Sequence, residues 1–389
     1  MNTIDRIDNC FRRAENGEDI TVAYFGGSIT QGALASDDAH CYARLVTAWW
    51  HQQFPQARIH YINGGIGGTS SHFGVARVDG DLLMYNPDMV IVDFSVNDKP
   101  TAFYLETFEG LIRRILSDPS QPGILILNNA FYDSGVSAQN QHNAVADYYG
   151  IPFMSMRDTI YQGILDGTYK AGDLSPDGLH PNDAGHRLLA DMIIEKLESL
   201  YGEYRKREDQ DGEPDKKAAA ATSRAAEEDR GFSGIDSLVT RRRGPLPGPL
   251  TDNVYEKTVR YSIRDCHPKL EGFRVDTHEK NGHLDLFKNG WTGSKKGDKI
   301  TFEIMGSSLA VQYRKTIHKP APVARLILDN DEDHTFILDG NFEETWGDKL
   351  QLDNILYHGK YKMHTVEIEI IEADENTKTP FYLTSLTAS

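Results

Sequence analysis

The first two hundred residues alternate between short apolar runs and amphipathic segments, and this alternation constrains the fold more than any other feature. The apolar runs have the length and β-branched content of buried strands. They cover 21–27, 57–65, 88–96, 123–131 and 152–156. Apolar residues at helical spacing predict helices over 41–54, 104–117 and 183–201, and we expect two further helices at 75–86 and, with a polar composition, at 138–149. Repeated strand–helix–strand units predict an α/β fold, in which helices cover both faces of a parallel sheet.

Polar, glycine-rich segments directly follow three of the predicted strands, and a fourth such segment lies between the fifth strand and the last helix. The segments are GGSIT after the first strand, GGIGGTSS after the second, VNDKP after the third and DLSPDGLHPND after the fifth. Parallel sheets bind their ligands at the carboxyl ends of the strands. We therefore expect the four segments to meet at one edge of the sheet and to form a site there.

Ser28 and His180 are the candidate nucleophile and base of this site. A serine hydroxyl is a weak nucleophile unless a neighbouring base removes its proton. Asp177 precedes His180 by three residues, so its carboxylate can hold one imidazole nitrogen while the other nitrogen faces the serine. The alternative is structural, because a serine in a strand-to-helix turn and an Asp-Gly turn before a helix are both common.

Acyl transfer also needs hydrogen-bond donors aimed at the oxygen that becomes negative in the transition state. The side-chain amide of Asn97 and the backbone N–H groups of Gly68 and Ser28 are the candidates. Asn97 can also be a simple turn residue, and GGIGG resembles part of a dinucleotide fingerprint without its spacing. The fixed order of four such signals at strand ends favours the catalytic interpretation.

These residues and their surroundings resemble the SGNH (GDSL-type) hydrolases over about residues 18–201. The matching segments are 66–70, 74–77, 96–98 and 177–182. The resemblance implies a flavodoxin-like three-layer α/β/α domain. It also implies Ser28 as nucleophile, His180 as base, Asp177 as its orienting group, and an oxyanion hole of Ser28, Gly68 and Asn97. The usual Gly-Asp-Ser is here Gly26-Gly27-Ser28, a form most similar to that of carbohydrate esterases.

The rest of the chain has a different character and predicts a second domain. We expect a catalytic domain at 1–202, a charged and proline-rich linker at 203–250 and an all-β sandwich at 251–389. The sandwich resembles jelly-roll carbohydrate-binding modules. Trp346 and, more weakly, Trp291 are candidates for exposed rings that stack on sugars. Either ring can instead be a buried tryptophan of the sandwich.

The two domains together resemble the carbohydrate acetylesterases of carbohydrate esterase family 17, which act on mannan fragments. The resemblance implies hydrolysis of O-acetyl groups from oligosaccharides without a metal or an organic cofactor. A lipid or aryl esterase, a thioesterase and an O-acetyltransferase remain as alternatives, because all of them use the same triad. A catalytically inactive sugar-binding protein is the non-enzyme alternative.

The net charge and the hydropathy of the chain limit the kinds of partner that it can bind. The formal net charge of −17 argues against a nucleic-acid partner, since phosphate binding needs basic surfaces. No apolar run approaches the roughly 18 residues of a membrane span, so we expect no membrane partner. The first residues do not read as a signal peptide, and we expect a cytoplasmic protein. Self-association into a homo-oligomer is an open expectation.

Overall fold

The computed structural model describes residues 3–211, 246–333, 335–344 and 346–389. A sheet of five parallel strands in the order β2-β1-β3-β4-β5 forms the centre of the first domain. The strands are β1 Asp19–Gly26, β2 Arg58–Asn63, β3 Met89–Asp93, β4 Gly123–Asn128 and β5 Phe153–Ser155. The helices are α1 Thr3–Glu15, α2 Ser28–Gln31, α3 Tyr42–Gln53, α4 Ser71–Asp81, α5 Ala102–Leu116, α6 Gln139–Tyr149, α7 Ile160–Leu165, α8 Ala171–Leu174 and α9 Asp183–Asp211. This strand order confirms the predicted flavodoxin-like α/β/α fold.

The sheet is buried on both faces, which explains the continuous apolar runs of its strands. Along β3, Ile91 faces a core formed with α1, α3 and α9, whereas Val90 and Val92 face a core formed with α4, α5 and α6. Because successive side chains of a strand point to opposite faces, a strand between two helical layers needs apolar residues at every position.

Two helical segments of the first domain were not predicted from the sequence. Helix α1 was not predicted, although Ile7, Cys10, Phe11 and Ala14 have helical spacing and are buried in the core. Helix α9 continues to Asp211, past the predicted boundary at 202. Residues 203–211 of the segment predicted as a linker are therefore helical. The rest of the predicted linker, up to residue 245, lies outside the described residues.

The second domain is a two-layer β-sandwich, as predicted. One sheet has the order β13-β12-β15-β10-β7, and the other has the order β14-β11-β16-β9-β8 with β6 paired to β16. The strands are β6 Val259–Tyr261, β7 Lys269–Glu271, β8 Arg274–Val275, β9 Trp291–Gly293, β10 Lys299–Gly306, β11 Leu309–Lys315, β12 Val323–Leu328, β13 Thr335–Asp339, β14 Lys349–Leu356, β15 Lys362–Glu372 and β16 Phe381–Ala388. Strand β14 was not predicted. Within the described ranges, no helix of either domain is long and apolar enough to cross a membrane.

Helix α5 is the surface on which the second domain docks. Its Glu106 and Glu109 lie one turn apart and are both buried. Glu109 accepts hydrogen bonds from the backbone N–H groups of Leu250 and Thr251 and from the hydroxyls of Thr251 and Tyr149. Glu106 accepts from the Val254 N–H at 3.0 Å and from His358 Nε2 at 2.8 Å. These buried carboxylates fix where the chain enters the sandwich.

Replacing Glu109 by alanine should destabilise the protein. The variant leaves the donors of Leu250, Thr251 and Tyr149 buried without their acceptor, so the free energy of unfolding should fall by about 3 kcal/mol. Urea unfolding followed by circular dichroism measures the change. Glu195→Ala, at an exposed position of α9, is the matched control and should change stability by no more than about 0.5 kcal/mol. Equal stabilities of the two variants would contradict the expectation.

Candidate active site

Four loops meet at the carboxyl edge of the parallel sheet, as the sequence predicted. Ser28 opens α2 immediately after β1, and Gly68 lies in the loop between β2 and α4. Asn97 follows β3, and His180 lies between α8 and α9. A Cβ placed on Gly67 would lie 3.6 Å from the Ser28 side chain, so the second loop borders the serine directly.

Ser28, His180 and Asp177 form a continuous hydrogen-bonded chain. The Ser28 hydroxyl donates to His180 Nε2 at 2.8 Å, and His180 Nδ1 donates to Asp177 Oδ2 at 2.7 Å. Asp177 Oδ1 also accepts from the backbone N–H groups of Leu179 and His180, at 2.9 and 2.7 Å. These bonds hold the imidazole with its unprotonated nitrogen toward the serine, the arrangement that general-base activation requires.

The carboxyl of Asp177 is ionised throughout the range in which histidine titrates. Partial burial by itself would raise its pKa, but the hydrogen bonds from the His180 side chain and from the backbone lower this pKa to about 2. A negative charge beside His180 stabilises the imidazolium that forms when the ring takes a proton.

Three hydrogen-bond donors lie around Ser28. The first intrahelical bond of α2 runs from the Gln31 N–H to the Gly27 carbonyl, which leaves the earlier Ser28 N–H outside the helical pattern. Gly68 has a φ of +68° and lines the cleft, as does Asn97. These are the donors that the resemblance assigned to the oxyanion hole.

Gly27 explains why this chain lacks the usual Gly-Asp-Ser. A Cβ on Gly27 would overlap Oδ1 of Asn97, so the Asn97 amide occupies the space beside this residue. The Gly27 N–H donates to the Asp93 carbonyl at 3.3 Å, which ties the nucleophile turn to the end of β3. A side chain at position 27 is incompatible with this placement of Asn97.

Asp98 is a supporting residue that the sequence-based reasoning did not assign. Its side chain is buried, accepts from the Ser71 N–H at 2.8 Å and contacts His142 Nε2 at 3.0 Å. The His142 ring stacks on Phe108 with 3.6 Å between ring centroids. Asp98 thus ties the Asn97 loop to the start of α4, which follows the Gly68 loop.

Asp93 is a second supporting residue, at the end of β3, where its carbonyl accepts from the N–H of Gly27 beside Ser28. Its carboxylate accepts from the Thr30 hydroxyl at 3.0 Å, and Thr30 also bonds to the Tyr42 hydroxyl at 2.8 Å. Complete burial, reinforced by the charge of Asp98, raises the pKa of Asp93 to about 7. In the sequence, an aspartate at the end of an apolar strand is the signal that could have identified Asp93 as a supporting residue. Its hydrogen-bond partners can be seen only in the structure.

A cleft of about 310 Å³ is lined by Gly68 and Asn97 of this site and is walled by both domains. The first domain contributes Asn97, Lys99 and Tyr104. The facing wall comes from β11 and β14 of the sandwich. Its polar side chains are Gln312, Lys349, Gln351 and Asn354.

The two candidate tryptophans differ in exposure. Trp346 is 58% exposed in the loop before β14 and packs edge-on against Phe342. Trp291 is 1% exposed and packs edge-on against Phe302 inside the sandwich. The expectation of an exposed ring at Trp291 is therefore wrong, because both faces of that indole are covered by the core.

Comparisons with known proteins agree with the fold and with the class of enzyme. The GDSL-like Lipase/Acylhydrolase family profile matches residues 24–188. A two-domain esterase active on acetylated mannans, crystallised with mannopentaose, is 43% identical; the match covers 99% of this chain and 94% of that chain, with a TM-score of 0.86. A further crystal structure of such an esterase is 42% identical, with a TM-score of 0.87 and coverage of 99% and 95%. The curated acetylxylan esterase of Geobacillus stearothermophilus is 25% identical over 215 residues, 50% of this chain and 90% of the relative.

The chain belongs to the GDSL-like (SGNH) lipase and acylhydrolase family. It is a carboxylic ester hydrolase. Within that family it shares both domains with the two-domain esterases, since the similarity extends over nearly the whole chain.

Substituting Gly27 tests the placement of Asn97. In Gly27→Ala the new methyl group displaces the Asn97 amide, and kcat for p-nitrophenyl acetate should fall by about 10²–10³, the usual cost of one oxyanion donor. Gly80→Ala is the matched control, because a Cβ there meets no atom within 4 Å. Steady-state kinetics measure kcat for both variants. A wild-type kcat for Gly27→Ala would exclude Asn97 as an essential donor.

The raised pKa of Asp93 predicts a pH-dependent contribution to stability. Between about pH 4 and its folded-state pKa of about 7, the native protein keeps a proton that the unfolded chain releases. The contribution of Asp93 to the free energy of unfolding therefore falls as the pH rises through that range. The Asp93→Asn variant has no carboxyl at this position and should not show this fall.

The free energy of unfolding of Asp93→Asn, relative to wild type, should therefore rise by about 3 kcal/mol between pH 4 and pH 8. Urea unfolding across this range measures the difference. Asp147→Asn, at an exposed position of α6, should show no such trend. Parallel curves for the two variants would mean that Asp93 titrates in the ordinary carboxyl range.

Proposed function

We propose that the protein hydrolyses O-acetyl esters of oligosaccharides, and of mannan-type oligosaccharides in particular. The observation that carries this proposal is the hydrogen-bonded chain of Ser28, His180 and Asp177. A polar cleft between the two domains is lined by Gly68 and Asn97, the two candidate oxyanion donors beside this chain. The similarity over 99% of the chain to an esterase active on acetylated mannans supports the choice of sugar.

The first half of the reaction is acylation of Ser28. His180 Nε2 takes the hydroxyl proton while Oγ attacks the acetyl carbonyl carbon. The carbonyl oxygen becomes negative and accepts from the Ser28 N–H, the Gly68 N–H and the Asn97 side chain. His180 then gives its proton to the sugar oxygen, the bond between this oxygen and the acetyl carbon breaks, and the deacetylated sugar leaves.

The second half repeats these steps with water. His180 takes a proton from a water molecule, whose oxygen attacks the acetyl carbon bound to Ser28 Oγ. The same donors stabilise the oxyanion, the bond between Ser28 Oγ and the acetyl carbon breaks as His180 returns its proton to Oγ, and acetic acid leaves and ionises to acetate in water. Asp177 stays ionised throughout, because its pKa is about 2.

The walls of the cleft favour a sugar over a lipid. The lining residues include the amides of Gln312, Gln351 and Asn354 and the phenol of Tyr104. Such groups exchange hydrogen bonds with hydroxyls, whereas a long acyl chain needs an apolar groove. The volume of about 310 Å³ is at the small end for ligand sites and suits an acetylated sugar unit.

Trp346 extends this proposal beyond the cleft itself. Its ring is exposed, and the loop that carries it leads directly into β14, which forms one cleft wall. We assign Trp346 to stacking on a sugar unit near the acetylated one, through the C–H face of the ring.

The decisive experiment measures acetate release from acetylated mannan, acetylated xylan and a triacylglycerol in parallel. We expect release from the acetylated glycans, highest on mannan, and a loss of at least about 10³-fold in Ser28→Ala on p-nitrophenyl acetate. Ser199→Ala, at an exposed position of α9, is the matched control and should keep wild-type activity.

Two results would contradict the proposal. Full activity of Ser28→Ala on p-nitrophenyl acetate would remove the nucleophile. A preference for the triacylglycerol and for long acyl chains would instead identify a lipid esterase with the same triad.

A further inference from the structure

The loop that carries Gly68, residues 64–70, is held from two sides; we call it the oxyanion loop. The first domain holds its inner side. Ile66 N–H donates to the Gly26 carbonyl at 3.1 Å, and Gly67 N–H donates to Gln31 Oε1 at 2.7 Å. These bonds fix the start of the loop against the turn that carries Ser28.

The sandwich covers the outer side of the same loop. His283, in the segment between β8 and β9, contacts the Gly65 carbonyl oxygen through Nε2 at 3.2 Å. A carbonyl oxygen only accepts, so Nε2 carries the proton and donates it. Burial lowers the pKa of His283, which keeps the ring neutral near pH 7.

A small apolar cluster joins the two domains around Gly68. It consists of Ile66, Phe73 and Leu350, which are 2%, 2% and 6% exposed. Side chains from both domains pack at its edge, namely Ala76, Leu286, Phe287 and Leu352. Ile66 lies two residues before Gly68, and Phe73 lies in the first turn of α4 after it. Leu350 of β14 therefore packs against both flanks of the oxyanion loop.

Gly68 itself is exposed, and the direction of its absent Cβ is open. A Cβ at this residue would meet no atom within 4 Å, and its φ of +68° lies in the left-handed region. The direction of its N–H therefore depends on the flanking residues, which the sandwich covers. Displacements of about 1 Å in a catalytic group cost about 10²-fold in rate, so this support has consequences for chemistry.

We propose that His283 and Leu350 are positioning residues for the oxyanion hole, so that the sandwich supports the chemical step as well as walling the cleft. The inference rests on the proposed esterase function. It differs from a role in gripping sugar, because it predicts an effect on a substrate too small to engage the polar wall of the sandwich.

The test uses p-nitrophenyl acetate and the full-length protein. In His283→Ala and Leu350→Ala, kcat should fall about tenfold or more while KM stays unchanged, because an oxyanion donor acts on the transition state. His283→Gln, whose side-chain amide can donate to Gly65, should recover most of the loss. Inhibition by phenylboronic acid, which forms a tetrahedral anion on a serine, should weaken in the same proportion as kcat.

Controls separate positioning from general destabilisation. Ile337→Ala, at an exposed position of β13 in the other sheet, should keep the wild-type kcat. Thermal melting shows whether each variant is folded at the assay temperature. If Leu350→Ala does not fold, the contrast between His283→Ala and His283→Gln gives the result alone.

Two outcomes overturn the inference in distinguishable ways. An unchanged kcat in the folded variants, with effects confined to KM for acetylated oligosaccharides, would leave the sandwich with a gripping role and remove only this inference. A wild-type protein without Ser28-dependent hydrolysis of p-nitrophenyl acetate would overturn the proposed function and this inference together.

Discussion

The buried guanidinium of Arg77 ties together the two halves of the catalytic centre. Its Nη2 donates to the Gly26 carbonyl at 2.9 Å, and its Nη1 donates to the Gly64 carbonyl at 2.6 Å. Gly26 ends β1 just before Ser28, and Gly64 begins the oxyanion loop. Burial lowers the pKa of Arg77 to about 10, so the group stays charged, with Asp81 as its ion-pair partner at 3.1 Å. The nucleophile turn and the oxyanion loop thus share one cation, which sets their separation.

That close approach accounts for the glycines around the site. A Cβ on Gly26 would overlap the Asp93 carbonyl oxygen, and one on Gly65 would overlap the backbone N of Gln31. Backbones that pack this closely leave no volume for a side chain, whatever its chemistry. Gly26 and Gly65 are therefore packing requirements of this close backbone approach. Gly27 differs from them, because the atom that a Cβ would meet there belongs to the Asn97 side chain.

Local patterns predicted the parts of the molecule that local physics determines. Strands buried on both faces have continuous apolar runs, and parallel topology places their carboxyl ends at one edge; these two facts located Ser28, Gly68 and Asn97. His180 lies between α8 and α9 and was located instead by the spacing of Asp177 and His180. Strand β14 was missed because its Asp353 and Asn354 are typical turn residues, yet it forms a cleft wall. The burial of Trp291 was also beyond local reasoning, since it depends on Phe302 and on the facing sheet.

The contacts that join the two domains have no local signature at all. His358 meets Glu106 across 252 positions of sequence, and His283 meets Gly65 across 218. A buried carboxylate such as Glu106 is costly to leave unpaired, so each such contact favours one placement of the sandwich over neighbouring ones. The same placement brings Leu350 onto Ile66 and the polar residues of β14 opposite Asn97. One rigid arrangement of the two domains therefore accounts for the docking on α5, the support of the oxyanion loop and the formation of the cleft. A change in any one of these three should alter the other two.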